Sequence, residues 1–403
     1  MTSNPAPTAT QAAWVPFALA GLAAALVGIG LARFAYTPLL PALIEQQWFA
    51  ETTAVYLGAA NLAGYLAGAL GGKGIAQRIP AHRVLRAMML LAAVSFIACA
   101  QPVSFSWYFV WRFAAGFAGG ALMVLAASVI LPHVPAARRG TAGGIIFTGV
   151  GIGIALSGTL VPALIGVGLA ETWLALGVLS LALSIASWRY WPPAATAKVQ
   201  PAYGTPAATA FSWPFTSLYI VYGLVAVGLV AHMVFLVDYV ARGLERGLTV
   251  GAGYWVVFGI GAAMGPMAAG RIADVLGFRL TLRIFIGLQA SAVALAFLSS
   301  ESLALGISSF VVGAMVPGIV PLVLGRAHQL SGADAHLQRS AWSYATVGFS
   351  VGQAGAAYAF SYAFEMTGRY DLLFQAGAFA VALALVIDLF TREPKNHPKD
   401  SQP

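Results

Sequence analysis

The chain has 403 residues, of which 60% are hydrophobic and only 8% charged, far from the quarter of charged residues usual in soluble domains. That composition excludes a soluble globular protein and points to an integral membrane protein. The net charge of +8 does not imply nucleic-acid binding, because the basic residues fall in short separate loops and form no continuous basic face.

The opening stretch MTSNPAPTATQAAW carries no Lys or Arg before the first apolar run, so it lacks the charged start of a secretory signal and reads as a short tail. Apolar runs long enough to cross a bilayer as a helix follow at 15–44, 52–72, 84–100, 107–132, 141–166, 172–191, 213–241, 249–273, 280–299, 302–324, 340–364 and 372–391. Cys99, the single cysteine, lies in the third run; it excludes an intramolecular disulfide and a Cys-rich metal site and reads as a packing residue. Between the sixth and seventh runs, PPAATAKVQPAYGTPAATAFS at 192–212 is rich in Pro, Ala and Thr and reads as a flexible linker. The expected fold is therefore all-α with twelve transmembrane helices, as an N-terminal six-helix bundle over 1–191 and a C-terminal one over 213–403.

Cytoplasmic loops retain Lys and Arg. Of the 21 basic residues, sixteen fall in loops after even-numbered runs, at the run ends beside them (Arg86, Arg189, Arg271 and Arg283) or in the C-terminal tail, three (Arg242, Arg246 and Arg369) on the other side, and Arg33 and Arg112 deep inside runs. Both termini are thus expected to be cytoplasmic. The halves also repeat. A shift of 197 places matches Gly64 with Gly261, Gly68 with Gly265 and Arg86 with Arg283, and a shift of 199 matches Gly149 and Gly153 with Gly348 and Gly352. Duplicated six-helix halves of parallel topology are the plan of rocking transporters.

Three motifs carry a resemblance to the major facilitator superfamily of secondary transporters. The loop signature Gly-x-x-x-Asp-x-x-Gly-x-Arg follows the eighth run as Gly270, Asp274, Gly277 and Arg279; its copy after the second run has Gln77 for the Asp and Pro80 for the second Gly. RFAAGFAGG resembles the fourth-helix Arg-x-x-x-Gly motif through Arg112 and Gly116. Gly140, Gly149, Gly153, Ser157 and Gly158 resemble the fifth-helix motif of exporters, with Ile154 where proline is expected. Within the superfamily, GIGLARFAYTPLLP resembles the first helix of the YbfB-like branch. The resemblance implies two pseudo-symmetric six-helix bundles, a central cavity lined by helices 1, 4, 7 and 10, a gate latch at Asp274, and glycines that let helices 4 and 5 slide. It also implies a bacterial inner-membrane location and sufficiency as a monomer.

The chemistry turns on Arg33. A charge inside a bilayer costs about 2.5 to 3.5 kcal/mol on insertion scales, so a wet cavity or a partner is expected. Two readings stand. In one, carbonyls freed by Pro38 and Pro41 hold a packing arginine. In the other, Arg33 and Arg112 take their counter-charge from the solute, because no Asp or Glu lies inside the first six runs away from their ends, and guanidinium forks suit carboxylates. Tyr36, one turn from Arg33, and Asn61 are the other cavity candidates. Proton coupling needs a titratable group, for which His232, Asp238 and Arg112 are candidates; alternatively His232 packs by a hydrogen bond and Asp238 pairs with Arg242 four residues on.

The favoured expectation is a proton-coupled transporter of a small organic anion with the lipid bilayer as its environment; the rivals are efflux of hydrophobic or sugar-like compounds and, more remotely, a sensor. No cofactor, metal or nucleic-acid partner is expected. An enzyme is not expected either, since the internal acidic and His residues are too scattered for a catalytic cluster.

Overall fold

A computed structural model describes residues 14–135, 138–192, 207–332 and 334–391. Both terminal tails and most of the expected linker, 193–206, lie outside the described residues. Twelve long helices follow one another: α1 (Val15–Glu45), α2 (Glu51–Arg78), α3 (Ala81–Ala98), α4 (Phe105–Ile130), α5 (Arg139–Ile165), α6 (Leu169–Ser187), α7 (Trp213–Gly243), α8 (Leu248–Leu276), α9 (Phe278–Leu298), α10 (Ser302–Ser331), α11 (Ala335–Thr367) and α12 (Tyr370–Phe390). Eleven are long and apolar enough to cross a membrane; α11, at 33 residues, is long enough but carries many Ser, Gly and Tyr residues. Several helices outrun their apolar runs. α2, for example, continues through Lys73 to Arg78.

The halves pack alike. α2 lies along α4 and α8 along α10; α1 lies along α5 and α7 along α11; α3 contacts α4 and α6 as α9 contacts α10 and α12. The halves meet where α5 packs on α8 and α2 on α11, with α1 touching α7. Glycines set these distances, since without a driving force between apolar surfaces in lipid, close backbone approach is what holds helices together. A Cβ on Gly116 would stand 1.9 Å from the Asn61 carbonyl oxygen, and one on Gly313, its partner at a shift of 197, 2.1 Å from that of Phe258. Gly64 and Gly261 repeat the relation against Phe113 and Phe310, and Gly149 and Gly348 against the carbonyls of Leu22 and Tyr219. Gly140 is the second residue of α5, but its surroundings lie outside the described residues. Between the halves, Gly151 meets the Ala263 backbone and Gly259 that of Ala155.

Two helices depart from regular winding. α1 is π-helical over Leu26–Leu31 and resumes as α-helix only at Tyr36; α7 is π-helical over Ala231–Phe235 and Tyr239–Gly243. Such bulges free backbone groups and recur at functional sites.

Candidate functional site

The irregular part of α1 creates an acceptor. Ala32 N–H bonds to Val27 O, Ala35 N–H to Leu31 O, and Thr37 N–H turns back to Phe34 O, so the Ala32 carbonyl faces sideways toward α2 and α4. Arg112 Nη1 on α4 donates to it at 3.1 Å and Asn61 Nδ2 on α2 at 3.3 Å. Asn61 Nδ2 also donates to the Arg112 carbonyl at 3.1 Å. The Arg112 guanidinium stands 4.4 Å over the Tyr36 ring, whose hydroxyl donates to Ala54 O at 2.6 Å. Arg33 lies 4.6 Å over the Tyr65 ring of α2 and 5.2 Å from that of Phe34, geometry that stabilises a desolvated cation.

These groups surround a cavity of about 20 Å³ between the halves, room for roughly one water. Its wall comes from α1 (Arg33, Tyr36, Thr37), α2 (Asn61, Leu62), α4 (Arg112) and α7 (Met233, Val234). Exposure is 8% for Arg33, 2% for Arg112 and 1% for Asn61, yet Arg33 Nε, Arg112 Nε and Nη2, and Asn61 Oδ1 have no hydrogen-bond partner. Among the described residues neither arginine forms an ion pair. Buried polar groups are nearly always satisfied, and these four open valences belong to residues that line one cavity; Arg112 also lines a second one, beside Ser95, Cys99, Trp111 and Trp173.

The other candidates stand elsewhere. His232, placed with the cavity on sequence grounds, points into the C-terminal half: its Nε2 is 2.8 Å from Ser308 Oγ, which donates to Ala292 O, and its ring meets Phe374 edge-on. The π-helical turn beginning at Ala231 directs the ring there, while Met233 and Val234 face the cavity. Asp238 is buried and tied to Arg242 Nη1 at 3.2 Å and to the Tyr370 hydroxyl at 2.6 Å. Arg242 also reaches Glu51 on α2 at 2.9 Å. Glu51 was invisible as a partner in the sequence because it stands just before an apolar run. The pairing therefore crosses from one half to the other, as do Tyr56 Oη to Glu365 at 2.8 Å and Thr37 Oγ1 to Met233 O.

Of the loop signature, Gly277 has φ +77° between α8 and α9, a conformation glycine adopts without strain; its N–H caps Ala273 O and its carbonyl accepts from Thr281. Arg279 donates to Thr391 O at 2.8 Å. Gly270 has open space beside it, and Asp274 is exposed. Thr37, four residues from Arg33, lines the cavity, and its helical spacing was a usable signal; Tyr65, four residues from Asn61, lies behind it as the ring under Arg33.

Twelve helices in two like halves around an enclosed charged site define the class: a multi-pass membrane transporter of the major facilitator fold. A solved structure of a nucleoside transporter, NupG, superposes with a TM-score of 0.72, covering 93% of this chain and 99% of that one at 15% identity; at that identity the likeness speaks for the fold. The chain belongs to the family described as the uncharacterised MFS-type transporter YbfB, whose model matches residues 25–389. No curated protein matches the sequence.

Proposed function

We propose that the protein is a secondary transporter that carries a small organic anion between its two halves, residues 1–191 and 213–403 joined by a linker at 192–212, by alternating access coupled to protons. The observation that carries this reading is the pair of buried guanidiniums, Arg33 and Arg112, which line one cavity, keep three N–H groups without a hydrogen-bond partner and have no carboxylate in that cavity's wall. A carboxylate supplies both the missing charge and the missing acceptors. The distribution of Lys and Arg supports cytoplasmic termini in a bacterial inner membrane, which puts the Glu51–Arg242 contact at the outer face. In that frame the structure is the form closed to the outside, with Glu51, Arg242 and Tyr56–Glu365 as the outer gate. Asp238, held by Arg242 and Tyr370, is the candidate proton carrier, because its protonation weakens the pair that ties α7 to the gate. A monomer suffices, since both halves are in one chain.

The test is thermal unfolding of the detergent-purified protein with carboxylates, sugars, nucleosides, amines and lipophilic drugs. Ligand at a hundred times its dissociation constant stabilises the native state by about 2.7 kcal/mol. Protection by carboxylates that disappears in both Arg33→Gln and Arg112→Gln supports the anion reading. Protection by neutral or lipophilic compounds, equal in the variants, overturns it and favours efflux.

A further inference from the structure

Resting on the anion reading, we infer that the solute is a carboxylate that also bears a hydroxyl group, and that Asn61 is the residue that selects for the hydroxyl.

The argument starts from the orientation of one amide. Asn61 Nδ2 has two donor hydrogens, and two backbone carbonyls take them: Ala32 O at 3.3 Å and Arg112 O at 3.1 Å. Reversing the amide would set Oδ1 against those two carbonyl oxygens, acceptor against acceptor, so the orientation is fixed. Asn61 lines the cavity, and the one polar atom it leaves open there is Oδ1, buried and without a donor. An acceptor can be satisfied only by a donor, and an ionised carboxylate has none. The arginines and Asn61 therefore make complementary demands on one solute: acceptor oxygens with negative charge for Arg33 Nε and for Arg112 Nε and Nη2, and one hydrogen-bond donor for Asn61 Oδ1.

The donor must be uncharged. An ammonium group, as in an amino acid, would stand among two guanidiniums with no carboxylate in the cavity wall, and like charges in a low-dielectric site repel strongly. A hydroxyl carries no such penalty. The aromatic rings in the wall are already engaged: Tyr36 lies against Arg112, and Phe34 stands 5.2 Å from Arg33 and 5.9 Å from the Trp255 ring. The rest of the wall, Thr37, Gly58, Leu62, Met233 and Val234, is mostly apolar and suits a short aliphatic body once the halves part beyond the present room for about one water. With Nδ2 engaged on α1 and α4 at once, Asn61 is also placed so that a shift of either helix moves its oxygen, which links recognition of the hydroxyl to the packing of the three helices.

The experiment uses matched pairs that differ by one hydroxyl: lactate against propionate, and malate against succinate. Affinities are measured on the full-length purified protein by thermal stabilisation and by competition. A site with a buried acceptor discriminates against the analogue that leaves it unpaired, so the hydroxylated member should bind at least about tenfold more tightly in each pair. In Asn61→Leu the ratio should fall to near one, whatever happens to absolute affinity; a purely structural role for Asn61 would lower both members of a pair together and leave the ratio standing. Equal binding of both members to the wild-type protein overturns the inference and leaves the anion reading intact. Binding of no carboxylate at all overturns both.

Discussion

Gly116→Ala on α4 tests whether the site depends on close approach of α2 and α4. The new Cβ would stand 1.9 Å from the Asn61 carbonyl oxygen, whereas a carbon and a carbonyl oxygen rest at about 3.3 Å or more. The shortfall is roughly 1.4 Å, and because backbone meets backbone no side-chain rotation relieves it. Separation of α2 from α4 by that amount takes the Asn61 Nδ2 to Arg112 O bond, 3.1 Å here, beyond hydrogen-bond range. Overpacking costs about 1 to 3 kcal/mol, with the upper end expected here; if the N-terminal half melts as a unit of about 200 residues, 3 kcal/mol lowers Tm by roughly 6 to 12 °C. The repeat supplies a matched control, since a Cβ on Gly313 would meet the Phe258 carbonyl oxygen at 2.1 Å in a half that contributes only α7 to the cavity wall. Thermal unfolding with and without a protective carboxylate should show both variants destabilised but ligand protection lost only in Gly116→Ala. Wild-type melting of Gly116→Ala would refute the packing argument, and equal loss of protection in Gly313→Ala would refute the placement of the site on α2 and α4.

Three further predictions address gating and coupling. In a Cys99→Ser background, Thr37→Cys reports opening at the gate through labelling by a membrane-impermeant thiol reagent; adding Glu51→Gln removes an exposed ion pair of roughly 0.2 to 1 kcal/mol and should raise the labelling rate about 1.4- to fivefold, while an unchanged rate excludes Glu51 from the gate. Asp238→Asn should abolish accumulation driven by an imposed pH gradient in proteoliposomes but preserve solute exchange; accumulation that still follows the gradient would clear Asp238 of coupling. Asp274 is exposed in this conformation, so Asp274→Asn should leave Tm unchanged and slow transport without altering which solutes compete. A changed competition profile would count against a latch role.

What the sequence disclosed and what it hid follow from the range of the interactions involved. Apolar runs and the 197-residue repeat are local or periodic signals, and they place the helices and the glycine contacts, down to Gly64 with Gly261 and Gly68 with Gly265 lying on equivalent carbonyls. The site depends on departures from that regularity. Hydropathy carries no trace of the π-helical turns in α1 and α7, yet one exposes the Ala32 carbonyl and the other turns His232 away from the cavity. Pro38 and Pro41 pointed to freed carbonyls in α1, with Arg33 the natural taker; the carbonyl that comes free goes to Arg112 and Asn61 instead, and Arg33 rests on Tyr65.

The repeat also shows where symmetry stops. At a shift of 197, Asn61 corresponds to Phe258 and Arg112 to Ser309, and at 198 Arg33 corresponds to Ala231, so the polar groups of one half face uncharged residues at the equivalent places in the other. The backbone approach at Gly116 and Gly313 is nonetheless the same within 0.2 Å, at 1.9 Å and 2.1 Å. A duplicated scaffold thus keeps its helix spacing in both halves while only one carries the charge. That arrangement suits a solute anchored to the N-terminal half, with the C-terminal half closing over it through Met233 and Val234. Under the proposed alternating access, opening on that side requires breaking the Glu51–Arg242 and Tyr56–Glu365 contacts between the halves, and the proposed arginine anchor does not have to be dismantled.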